Sequence, residues 1–196
     1  HGIGRRQRQM CIRDRSTIIV NNFSFSVKMG QILAITGSNG MGKTTLMKTI
    51  MGLLDAREGK IFYKNNDITA RSSDFRSKLG IGYVPQGREI FSSLTVEQNI
   101  MLPIYTRKKL DFNSNEKLKE IYSLFPILEE KRHMNGSSLS GGQQQQLAIA
   151  RALIFDPEII ILDEPAEGIQ PSRVTFIGKT LIDLSKKLGK AFIVVE

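Results

Sequence analysis

Gly37-Ser38-Asn39-Gly40-Met41-Gly42-Lys43-Thr44 has the spacing G-x-x-x-x-G-K-[ST]. Several backbone N–H groups must point inward at one anion in such a loop, a path that glycine-rich chain follows easily. Lys43 then reaches the β- and γ-phosphates of a nucleoside triphosphate, and the Thr44 hydroxyl is placed to ligate Mg²⁺. Residues 31–36 (QILAIT) read as a short buried strand. Residues 44–54 (TTLMKTIMGLL) read as the helix that follows, its N-terminal dipole aimed at the phosphates. The competing reading is a chance glycine-rich turn, and the order strand, loop, helix speaks against it.

The 196 residues, 40% hydrophobic and 24% charged, suit one sizeable domain of ordinary globular composition. The most apolar run, residues 159–162, is four residues long, far short of a bilayer span. Any membrane association is therefore expected to be peripheral. Cys11 alone makes no disulfide framework, and it forms no metal-ligand cluster with His1 and His133. A reducing compartment and no structural zinc are expected. The net charge of +9 is uneven, with Arg5, Arg6, Arg8, Arg13 and Arg15 against Asp14 at the start. Residues 1–15 show no helical or strand periodicity and no apolar signal core, so they are expected to be an extraneous or disordered basic segment. A basic arm for phosphates or anionic lipid is the alternative.

From Ser16 the chain alternates: residues 17–20 and 23–27 (FSFSV) read as strands of a half-exposed antiparallel sheet. Residues 59–63 and 81–84 read as further strands, separated by the polar stretch 64–78. Residues 95–134 are rich in helix formers and charge, with Leu118, Ile121, Tyr122 and Phe125 at helical spacing. An amphipathic helix over 142–155 is stopped by Asp156-Pro157, and a buried strand at 158–162 follows. Residues 174–188 read as a helix and 191–195 (AFIVV) as a buried strand.

Two further motifs narrow the choice among kinases, GTPases, helicases and transport ATPases. Residues 159–164 are an apolar strand ending in two acids. Asp163 can hold Mg²⁺, directly or through water, and Glu164 is placed to polarise an attacking water. Leu139-Ser140-Gly141-Gly142-Gln143 opens the amphipathic helix, so Ser140 and two exposed amides make a second phosphate-binding device. A plain N-cap with a flexible entry is its alternative reading.

With LSGGQ twenty residues ahead of Asp163, the chain from Ser16 to Glu196 resembles the ATP-binding-cassette (ABC) family, whose signature that sequence is. The resemblance implies an α/β P-loop domain at residues 16–196, with an antiparallel β lobe and a helical lobe at about 95–145. It implies a head-to-tail homodimer or heterodimer with a related ATP-binding subunit, each ATP held between one subunit's phosphate loop and the other's signature. ATP contacts would come from Gly37, Ser38, Asn39, Gly40, Met41, Gly42, Lys43, Thr44, Thr45 and Gln86, and from Ser140, Gly141, Gly142 and Gln143 of the opposing subunit. Thr44, Gln86 and Asp163 would organise Mg²⁺ and Glu164 would be catalytic. Residues 85–91 and 94–100 look like the subgroup that energises branched-chain amino acid uptake. The run 143–147 and residues 164–172 resemble its urea-transport branch. Such subunits sit on the cytoplasmic face of the bacterial plasma membrane with permease subunits and a periplasmic or extracellular solute-binding protein, and they bind no nucleic acid. A soluble cassette ATPase acting on ribosomes or nucleic acid is the rival.

Some features depart from the family pattern. Residues 8–15 hold no aromatic to stack on adenine, Gln170 stands where an Asp is usual, and Ala166 where Thr or Ser is common. The family's switch residue would be the position after Glu196, so the domain is expected to be C-terminally truncated, with weak folding or poor turnover on its own.

Overall fold

A computed structural model describes residues 10–14, 17–105, 112–168 and 171–196. Along the chain come β1 (Met10–Asp14), β2 (Thr17–Phe23), β3 (Ile32–Ile35), α1 (Lys43–Ile50), β4 (Phe62–Tyr63), β5 (Asn66–Asp67), α2 (Ser73–Lys78) and β6 (Ile81–Val84). They are followed by α3 (Val96–Tyr105), α4 (Ser114–Leu124), α5 (Pro126–Glu130), α6 (Gly141–Leu153), β7 (Ile159–Asp163), α7 (Pro171–Leu188) and β8 (Ala191–Val195). The central sheet is parallel, in the order β3-β8-β7-β6. Its inner strands are apolar up to Asp163 at the end of β7, because helices cover both faces, as parallel sheets require.

Successive side chains of a strand point to opposite faces, and β7 divides two cores on that rule. Ile160 and Leu162 join Phe192, Leu147, Ile100, Ile121 and Leu128 in the larger core, shared with α3 to α6. Ile161 faces the other way, with Leu46, Met47 and Ile50 of α1 and with Ile81 and Ile193. The parallel strands β3, β6, β7 and β8 all end at one edge, and there the loop at 37–42, Gln86, Asp163 and Glu164 converge. Ligands of open α/β sheets bind at this carboxyl edge.

The antiparallel part is smaller than the sequence suggests. β2 stops at Phe23 and residues 24–28 have no ladder, so the alternation of FSFSV marks an extended segment without a partner strand. Of residues 59–63 only Phe62–Tyr63 pair, with Asn66–Asp67, and the polar stretch after them contains α2. Met10–Asp14, read as patternless, pair antiparallel with Thr17–Phe23. Register shifts between Met10 and Ile12 and between Ile12 and Arg13 erase the period of two by which a strand is recognised.

Helix α1 ends at Ile50, four residues before the expected Leu54. Gly52 turns the chain at φ 72°, where a Cβ would lie 2.7 Å from the Arg71 carbonyl. Arg76, only 1% exposed, receives the helix end. Its Nη1 donates to the carbonyls of Thr49 and Ile50 at 2.7 and 2.6 Å, its Nε to Arg71 at 2.9 Å and its Nη2 to Thr69 at 2.8 Å. Carbonyls that a helix leaves unpaired thus gain a cation at the negative end of its dipole.

Candidate functional site

The loop at residues 37–42 departs from β3 and delivers the chain to α1. Gly40 and Gly42 take φ of 82° and 84°, which side-chain-bearing residues adopt only under strain. Gly42 is the N-cap and offers no side-chain cap. The first amides of α1 are therefore left to whatever sits before them, the arrangement that suits a phosphate. Lys43 is 8% exposed; its Nζ donates to the carbonyls of Gly37 and Ser38 at 2.7 and 3.3 Å and lies 3.8 Å from Glu164 Oε1. The Gly37 amide donates to the Glu196 carbonyl at 3.1 Å, which fixes the loop's origin to the end of β8.

Asp163 is buried at the end of β7. Its Oδ1 accepts from the Thr44 hydroxyl at 3.1 Å and its Oδ2 from the Tyr83 phenol at 3.2 Å. Burial pushes the Asp163 carboxyl above the usual carboxylate range, while Thr44, Tyr83, Lys48 and Lys43 pull it back. The Tyr83 phenol is itself raised by burial and by Asp163, so it stays protonated and donates. Glu164 has φ 47°, a left-handed backbone for a residue with a long side chain. Strain of this kind gathers at functional sites. Its amide donates to the Val195 carbonyl at 2.9 Å, and its Oε2 accepts from Gln86 Nε2 at 3.0 Å.

Thr44, Lys48, Tyr83, Gln86, Asp163 and Glu167 line a cleft of about 270 Å³. The hydroxyl of Thr44, the carboxylate of Asp163 and the amide oxygen of Gln86 are hard oxygen donors around one space, the set that suits Mg²⁺ when phosphates and water complete it. The described residues hold no group of three His, Cys, Asp or Glu side chains fit for a softer metal.

The signature residues stand apart from that cleft. Ser140 caps α6 in a capping box, its amide donating to Gln143 Oε1 at 3.0 Å. None of Ser140, Gly141, Gly142 and Gln143 lines the cleft. Sequence reading missed Tyr83 and Lys48. Tyr83 pairs with Ile161 in register, so it shares a face with Asp163 two residues on, a signal available only once the β6–β7 pairing is known. Gln170 lies outside the described residues.

A phosphate loop, a buried Mg²⁺-type carboxylate, a glutamine and a second acid at the carboxyl edge of a parallel sheet define a nucleotide-hydrolysing α/β domain. The profile of the ABC transporter family matches residues 20–167, and the chain belongs to that family. It is 34% identical over 177 residues to the high-affinity branched-chain amino acid transport ATP-binding protein BraG of Pseudomonas aeruginosa, covering 90% of this chain and 75% of BraG. It is 37% identical over 174 residues to the lipopolysaccharide export system ATP-binding protein LptB of Haemophilus influenzae, covering 88% and 72%. Among solved structures, cbiO1 of Clostridium perfringens, part of an ABC transporter complex, superposes with a TM-score of 0.84 at 28% identity, covering 95% of this chain and 75% of that one. A dimeric ATP-binding cassette bound to ADP and Pi superposes at 0.77 with 28% identity, covering 96% and 84%.

The chain is therefore an ATP-binding subunit of a transporter, an ATPase whose hydrolysis is coupled to transport. ABC ATPase subunits dimerise and work with membrane permeases. These relatives set aside the reading as a non-transport ATPase. No helix among the described residues is long and apolar enough to cross a membrane.

Proposed function

We propose that this chain is the ATP-hydrolysing subunit of an importer for branched-chain amino acids or a related amide such as urea. On this reading it is attached to the cytoplasmic face of the plasma membrane and works with a permease and an external solute-binding protein. The observation that carries the solute class is the 34% identity with BraG over 90% of the chain, joined to the subgroup pattern of residues 85–100. LptB, at 37% identity, supports a second reading as the ATP-binding subunit of a lipopolysaccharide exporter. Co-purification of the full-length subunit with its membrane partners separates them. Stimulation of ATPase activity by loaded branched-chain amino acid or urea supports the import reading, and stimulation by lipopolysaccharide alone replaces it.

In the proposed mechanism, the uncapped amides of α1 and the Lys43 ammonium receive the β- and γ-phosphates, which draws Lys43 off the carbonyls of Gly37 and Ser38. Ser38, Asn39, Met41 and Thr45 frame the phosphates with their amides. Thr44, Asp163 and Gln86 would hold Mg²⁺, which when bound would supply charge to neutralise the phosphates. Gln86 then gives up its contact with Glu164, freeing that carboxylate to orient water and take its proton. Ser140, Gly141 and Gly142 of the opposing subunit close over the γ-phosphate. Their exclusion from the cleft of their own chain supports a site completed in trans. Glu164→Gln in the full-length subunit tests it: ATP should still bind while closed dimers accumulate, and unchanged turnover removes the assigned role.

A further inference from the structure

Three consecutive residues after Gln86 have left-handed backbone: Gly87 at φ 76°, Arg88 at 67° and Glu89 at 45°. Only the first is glycine, so the other two are held there by their surroundings. Arg151 of α6 does part of this, donating from Nη2 to the Arg88 carbonyl at 3.1 Å and from Nη1 to the Glu89 carbonyl at 2.7 Å. The result aims the Arg88 side chain away from the cleft that Gly87 and Glu89 line and back across the chain.

Its guanidinium has three partners on two elements. Nη2 donates to the Glu167 carbonyl at 2.6 Å, in the loop that leaves catalytic Glu164. Nε reaches Gln145 Oε1 at 3.3 Å and Nη1 reaches Gln144 Oε1 at 3.4 Å, both on α6 just behind the signature. The plane packs over glycines: a Cβ at Gly141 or at Gly168 would touch it at 3.7 Å. Gln145 is 2% exposed and its Nε2 has no partner among the described residues, so it sits there for its oxygen at the expense of its nitrogen. A planar fork with fixed N–H directions suits a contact that must hold two loops in one geometry.

We propose that Arg88 is a positioning residue that locks the loop after Glu164 to the signature helix, so that occupancy of a chain's own ATP site sets the placement of the signature serving the opposing subunit's site. The proposal rests on the two-subunit site above. Gln86 senses the cleft, Arg88 follows two residues later, and the signature moves with it. Arg88 itself does not line the cleft.

The test uses the full-length subunit with its permease. In Arg88→Ala, the Kd of a fluorescent ATP analogue should stay within about twofold, while kcat falls about tenfold and the Hill coefficient for ATP drops toward one. Arg88→Lys should not rescue, because a point charge cannot span Glu167 and Gln145 together. Gln145→Leu removes the same contact from the other side and deletes the unpartnered nitrogen. It should remain folded, lose kcat and cooperativity, and add nothing further when combined with Arg88→Ala. A well-folded Gln145→Leu with wild-type kcat and Hill coefficient overturns the proposal, as does an Arg88→Ala that loses kcat and ATP affinity in proportion. Glu164→Gln separates the two readings. If it fails to form ATP-dependent dimers, the two-subunit site falls; if it forms them while Arg88→Ala stays cooperative, only this inference does.

Discussion

Two helices of this chain begin in glycine-rich motifs, and their N-termini are finished differently. α1 opens on Gly42 at φ 84° with no side-chain cap, so among the described residues no side chain caps its first amides. α6 opens on Ser140 inside a capping box, with Gln143 reaching back to the Ser140 amide at 3.0 Å. An uncapped N-terminus backed by a buried lysine is unfinished without an anion. A boxed N-terminus has its Ser140 amide satisfied from within and leaves Ser140 exposed and Gly141 half-buried at its start. In the proposed mechanism the first is the binding site, and the second a preformed lid for the opposing subunit's ligand.

The largest effect that sharpens this contrast comes from Glu164, on the α1 side. Glu164→Gln is expected to lower kcat by about 10²- to 10⁴-fold with ATP affinity retained, measured by phosphate release beside analogue binding. Loss of both together would mean that the residue shapes the loop rather than the chemistry. Lys43→Ala comes next, weakening ATP binding by about 10²-fold or more, since a buried charge pairing with phosphate is removed. The same measurement on any signature variant should show near-wild-type affinity in the isolated subunit. Tyr83→Phe deletes the phenol on Asp163 Oδ2 and is expected to raise the Mg²⁺ concentration for half-maximal activity by about tenfold with the ATP Kd unchanged. An unchanged Mg²⁺ dependence would leave Tyr83 a packing residue. The smallest effect falls on the other helix. Ser140→Ala should cost about 1 kcal/mol in urea unfolding, the usual worth of an N-cap, and Gly42→Ser should not show the matching gain because its φ penalises any Cβ.

The same contrast explains what the sequence reveals and what it hides. The proposed function draws on consecutive residues at 37–44, 139–143 and 159–164, so each motif is complete within one stretch. The sheet strands 81–84 and 191–195 show through their apolar runs as well. Tyr83 with Asp163, Arg88 with Gln145, and Arg76 with the end of α1 are meetings of residues 80, 57 and 26 or 27 positions apart, and no local period encodes them. The apolar spacing of residues 44–54 continues past Ile50, so the turn that Gly52 and Arg76 impose on the end of α1 leaves no mark in it. The strand at Met10–Asp14 was hidden by its own register shifts.

The most direct test of the division between a binding helix and a lid helix is a cross-link between different chains. One full-length chain carries Ser38→Cys and a differently tagged one Ser140→Cys, both with Cys11→Ser and Glu164→Gln. ATP and Mg²⁺ are added under mild oxidation and the products separated without reductant. The account predicts a disulfide-linked dimer containing both tags, formed only when the two chains are mixed and only with ATP. Absence of that band while ATP binds normally, or its formation at equal yield without nucleotide, would contradict it.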